Sequence, residues 1–152
     1  QNLNIPPLKY DVVYKLKKDF KNDQVIINGG ITSTDQIQEH LTKVDGVMIG
    51  RAVYHSPYFL AEIEKNIFNN NNVLTRQEVI ESLIPYIKKE ISNGTQLNQI
   101  MRHTLGLFHG QTGSSFWKRY LSENLCVRDA DIKKIDHIMD KVKLAPQAHS
   151  VG

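Results

Sequence analysis

The sequence predicts an α/β segment followed by an all-α one. Three observations lead there. Residues 1–69 alternate helical stripes with two short β-branched runs, each closed by glycine. Asn69-Asn70-Asn71-Asn72 then interrupts every periodicity, so residues 70–74 read as a linker, with a loop inside one domain as the alternative. Beyond it, residues 75–145 carry only helical spacing, and 146–152 read as a disordered tail.

The elements follow in order. Val13, Leu16 and Phe20 stand at i, i+3 and i+7, one face of a helix preceded by Pro6-Pro7. Val25-Ile26-Ile27 is a buried strand ending in the turn Asn28-Gly29-Gly30. Ser33 and Gln36 suit a capping box for a helix carrying Ile37, Leu41 and Val44. Gly46–Gly50 is a second buried strand. Ser56-Pro57 reads as N-cap and first helical residue, with Leu60, Ile63 and Ile67 beyond. Buried strands joined through a helix are mostly parallel.

Four helices are expected in the second half. Thr75 and Glu78 form a capping box, and Val79, Leu83, Ile87 and Ile91 run to a stop at Gly94, with a bend at Pro85. Leu97, Ile100, Met101, Leu105 and Phe108 line the next helix, ending near Gly110. Phe116, Trp117, Tyr120, Leu121 and Leu125 line the third, and Asp131 caps a fourth carrying Ile135, Ile138, Met139 and Val142. Short connections make this a small antiparallel bundle.

Composition narrows the function classes. The 152 residues are 40% hydrophobic, enough for a core. One cysteine, Cys126, excludes a disulfide scaffold and a cysteine-only metal site, and the six histidines show no metal-ligand spacing. No apolar run nears the ~18 residues of a membrane span. A cytoplasmic protein is the expectation, and the Gln1 start suggests a true N-terminus upstream. The formal charge of +3 is uneven. Residues 1–74 are neutral, while 75–152 hold eleven Lys/Arg against eight Asp/Glu.

Two glycine turns, Asn28-Gly29-Gly30 and Gly50-Arg51, each follow a strand and precede a helix. Glycine admits close backbone approach, and helix-start N–H groups favour an anion. Two such turns on adjacent parallel strands can converge on one phosphate, as after the last two strands of a TIM (β/α)8 barrel. Arg51 would add a charged contact; tight turns and a structural ion pair are the competing reading. In the second half, Lys88, Lys89, Arg102, Lys118 and Arg119 form a patch for a phosphate backbone if they share a face. Trp117 and Tyr120 could stack on bases, although a tryptophan in a small bundle is usually core.

Several strings resemble the A-type tRNA-dihydrouridine synthases: Ile5-Pro6-Pro7-Leu8-Lys9-Tyr10, Ile27–Ile31, Asp45–Arg51, Arg102–Phe108 and Trp117–Ser122. The likeness reaches to about Val142, and the Arg102 and Trp117 strings are the most specific. It implies the C-terminal portion of a TIM barrel followed by a helical tRNA-binding domain. It implies FMN, its phosphate held at Asn28, Gly29, Gly30, Gly50 and Arg51, reduced by NADPH before hydride passes to a uracil of tRNA. It favours RNA contacts at Lys118 and Arg119 within the basic patch that also holds Arg102 and Lys88; no metal and a monomeric full enzyme are expected.

Two positions depart from the family pattern. Ser56 stands where Asn is common, a change between two capping residues. Leu3 stands where Arg is expected, which puts one RNA contact in doubt. The family's acid cysteine has no counterpart, and Cys126 reads as a packing residue. A barrel needs ~250 residues. The expectation is therefore a C-terminal part of a longer enzyme, catalytically inactive by itself. Two alternatives are a phosphate-binding flavin barrel acting on a small metabolite and a non-catalytic RNA-binding module.

Overall fold

A computed structural model describes residues 7–124. The expected fourth helix, the tail, Leu3 and Cys126 lie outside the described residues. The order is α1 Tyr10–Asp19, β1 Ile26–Asn28, α2 Thr34–Leu41, β2 Gly46–Met48, α3 Arg51–His55, α4 Phe59–Asn66, α5 Arg76–Ser92, α6 Leu97–Met101 and α7 Ser114–Asn124, with a 3-10 turn at Arg102–Thr104.

The two strands pair in parallel through the α2 crossover, with Ile26 opposite Gly46, Ile27 opposite Val47 and Asn28 opposite Met48. Alternation sends Ile27 and Val47 into a core with Val25, Ile31, Ile37, Val44 and Phe59. The other face shows Ile26 and Met48 to solvent.

Three helix faces differ from the sequence expectation. On α1, Tyr10, Val13 and Tyr14 pack on the core, while Leu16 and Phe20 are exposed. Tyrosine offers an apolar ring with a polar tip, so hydrophobic spacing undervalues it. On α2, His40 is buried with Ile37, and Leu41 turns outward. On α4, Phe59 takes the core position and Leu60 is exposed. Its helix begins at Phe59, because Ser56 and Pro57 form a preceding turn with Phe59 N–H donating to Ser56 O at 2.9 Å.

Caps explain the helix starts. Ser33 Oγ accepts from Gln36 N–H, but the Gln36 side chain reaches one residue further back, accepting from Thr32 N–H at 2.8 Å. The Thr75–Glu78 box is complete, and Thr75 donation to the Glu78 carboxylate lowers its pKa.

Lys17 ties the start of this unit together. Its ammonium meets Asp45 Oδ2 at 2.8 Å and donates to the carbonyls of Lys21 and Asp23. Asp45 Oδ2 also accepts from Val25 N–H at 2.8 Å. The Lys17 hydrogen bond first, then the Val25 N–H, hold the Asp45 carboxyl below the usual range. A lowered folded pKa gives stability that is present above the unfolded value near ~4 and is lost as pH falls through the folded value. Wild type should therefore melt above Asp45→Asn at neutral pH, and the gap should shrink progressively as pH falls below the unfolded value in a melting series.

A second core joins α5, α6 and α7 through Ile80, Ile87, Leu97, Met101, Leu107, Trp117 and Leu121. The expected helix from Leu97 to Gly110 is interrupted. It is regular only to Met101, then tightens into the 3-10 turn and successive turns closed by Leu107 N–H to Thr104 O and His109 N–H to Gly106 O. Gly106 packs so closely on His55 that a Cβ would collide with the His55 carbonyl oxygen. The Asn run is structured: Asn69 adopts a positive φ of 56°, and Asn70 bonds Glu64 through backbone and side chain. The Arg76 guanidinium lies 3.7 Å from the Tyr58 ring centroid, and its Nε donates to Leu107 O at 2.9 Å.

Candidate functional site

The strand register sets Asn28 beside Met48, so the turns that follow are neighbours. Gly29 and Gly30 have φ of +118° and +62°, in the left-handed region that favours glycine. Gly50 precedes the first residue of α3, and a Cβ there would meet only open space. Between the turns lies a cleft of about 560 Å³. Asn28, Gly29, Gly30, Gly50 and Arg51 all line it, together with Ile31, Thr32, Met48, Ile49, Ala52 and His55.

The chemistry of this lining is selective. It holds one guanidinium, one imidazole, one hydroxyl and one carboxamide, and no carboxylate. Arg51 is exposed and makes no ion pair among the described residues. With no carboxylate among these lining residues to compete for Arg51, the chemistry suits an anion. Thr32 and His55 were not singled out from the sequence. His55 stands four residues after Arg51 on α3, so helical spacing was the available signal.

The predicted RNA residues lie on separate elements: Lys88 on α5, Arg102 in the 3-10 turn, Lys118 and Arg119 on α7. All four are exposed. Trp117 is 1% exposed, and its indole Nε1 donates to Thr104 O at 2.9 Å. It is therefore a core residue and has no free face for stacking on a base. Tyr120 is half-buried, with its ring 5.8 Å from that of Phe116. Arg102 Nε donates to His103 Nε2 at 3.2 Å, and the His103 ring stands edge-on to Tyr54 of α3 at 6.1 Å. Arg102 is thus placed beside the helix whose Arg51 and His55 line the cleft.

Among the described residues no group of three or more His, Cys, Asp or Glu could hold a metal. No helix among them is long and apolar enough to cross a membrane.

The family model described as dihydrouridine synthase matches residues 1–143. A tRNA-dihydrouridine(20/20a) synthase of Synechocystis is 47% identical over 131 residues, covering 86% of this chain and 39% of that protein. The Haemophilus ducreyi protein of the same name is 44% identical, covering 91% and 43%. That of Escherichia coli K12 is 43% identical, covering 93% and 41%. The chain spans about two fifths of the length of these curated relatives. A match over nearly every residue, including both glycine turns and the helices beyond them, means that this chain belongs to the dihydrouridine synthase family.

Proposed function

We propose that this chain forms the C-terminal part of an FMN- and NADPH-dependent tRNA-dihydrouridine synthase. In this reading residues 1–69 are the last βα units of a TIM barrel, and residues 75–145 are a helical tRNA-binding domain. The convergence of Asn28, Gly29, Gly30, Gly50 and Arg51 on one carboxylate-free cleft carries it. The room left at Gly50, and an Arg51 that forms no ion pair among the described residues, fit a phosphate monoester. When bound, FMN would supply the hydride chemistry. The residues of this chain would hold its phosphate: the turn N–H groups and the Arg51 guanidinium neutralise it, and Thr32 offers a hydroxyl. No described residue is a cysteine, so the acid that protonates the base is assigned elsewhere in the enzyme.

The test uses the protein encoded by the complete reading frame containing this chain. It should purify yellow, and with NADPH it should add two hydrogens to a uridine of unmodified tRNA, read by mass spectrometry. A colourless protein that takes up no FMN overturns the reading.

Lys118 and Arg119 bear on the RNA half. Both are exposed on α7, whose Trp117 and Leu121 are buried. Lys118→Glu with Arg119→Glu should weaken tRNA binding about tenfold or more at moderate salt, and should flatten its salt dependence. Unchanged affinity in a filter-binding titration removes α7 from the RNA surface.

A further inference from the structure

The Gly29–Gly30 turn is held from behind by α1. Tyr10, the first residue of that helix, donates its hydroxyl hydrogen to the Gly29 carbonyl oxygen at 2.5 Å. The peptide joining Gly29 to Gly30 is trans, so its carbonyl and its N–H point in opposite directions. Fixing the carbonyl toward Tyr10 therefore turns the Gly30 N–H away from Tyr10. Gly30 lines the cleft and Tyr10 does not. Among the described residues the Gly30 N–H has no hydrogen-bond acceptor.

Tyr10 is itself constrained. Its ring stands edge-on to His40 at 4.7 Å, and His40 is 5% exposed. His40 Nδ1 shares a 2.7 Å hydrogen bond with the Tyr14 hydroxyl. His40 lies on α2, the helix into which the turn leads, so the turn and its following helix meet the same aromatic cluster. The approach is close: a Cβ on Gly30 would stand 3.3 Å from the Tyr10 oxygen and 2.7 Å from Leu8 Cδ1.

We infer that Tyr10 is a positioning residue for the phosphate of the bound ligand, acting by aiming the Gly30 N–H into the cleft. The inference rests on the reading of that cleft as a phosphate site. It specifies discrimination between a flavin with a phosphate monoester and one without.

The experiment titrates the apo form of the complete-reading-frame protein with FMN and with riboflavin, which lacks the phosphate. Wild type should prefer FMN strongly. Tyr10→Phe keeps the ring on His40 and removes only the hydroxyl. It should weaken FMN about fivefold and leave riboflavin unchanged. An unchanged FMN-to-riboflavin ratio overturns the inference, whether both affinities hold or both fall together. Arg51→Ala separates the two layers. If it lowers the ratio while Tyr10→Phe does not, the phosphate site stands and the role of Tyr10 falls. If wild type shows no preference and Arg51→Ala changes nothing, the phosphate reading falls and takes the inference with it. Should Tyr10→Phe fail to fold, Tyr14→Phe loosens the His40 brace instead. A drop in the ratio of about twofold then supports the inference, and no drop overturns it.

Discussion

Trp117→Ala is expected to cost about 3–5 kcal/mol. The indole is 1% exposed and lies 4.9 Å from the Phe108 ring, centroid to centroid. With Leu121 it belongs to the core that joins α7 to Ile80, Ile87, Leu97, Met101 and Leu107. Removing it leaves a cavity that surrounding helices cannot fill without losing their own contacts. Its Nε1 hydrogen bond adds a polar tie to the 3-10 turn through Thr104 O. That carbonyl also accepts from Leu107 N–H, so it keeps a partner when the indole is lost. Cavity formation is then the dominant loss rather than an orphaned acceptor. Urea denaturation followed by circular dichroism measures the difference. Fluorescence does not serve, because Trp117 is the single tryptophan of the chain. A loss below about 1 kcal/mol would contradict the burial.

Gly106→Ala should be nearly as damaging, at about 3 kcal/mol. The new Cβ would collide with the His55 carbonyl oxygen, stand 2.8 Å from the His55 carbonyl carbon and 3.1 Å from Pro57 Cδ. The first two are backbone atoms, which no rotamer change can move aside. The chain after the 3-10 turn must therefore back away from α3. That motion separates His103 from Tyr54 and disturbs the end of α3, where His55 lines the cleft. Urea midpoints read the stability loss. Amide exchange at Tyr54, His55, Ser56 and Tyr58 should accelerate with it, and unchanged exchange there would show that the clash is relieved elsewhere.

Much of the fold was legible in the sequence. The β-branched runs before glycine marked both strands, and Thr75 with Glu78 marked the start of α5. All five residues of the two glycine turns line one cleft, because two parallel strands in register bring their ends side by side. What was not legible depends on partners distant in sequence. Leu16 and Phe20 keep helical spacing, but Tyr10 and Tyr14 face His40, and that pairing fixes the rotation of α1. His40 looks polar by composition and is buried because the Tyr14 hydroxyl satisfies it. The helix from Leu97 breaks at Arg102 although its apolar spacing continues. The chain after the break follows the surface of α3, which no local pattern records.

The contacts around Arg76 set the geometry between the two cores. Arg76 lies on Tyr58 and donates to Leu107 O, Tyr58 donates to Leu74 O, and Gly106 rests on His55. Direct contacts, rather than the asparagine run, hold one half against the other. The joint is thereby built from groups far apart in sequence. A change at Tyr58, Arg76 or Gly106 should therefore loosen the joint, although none of the three lines the cleft.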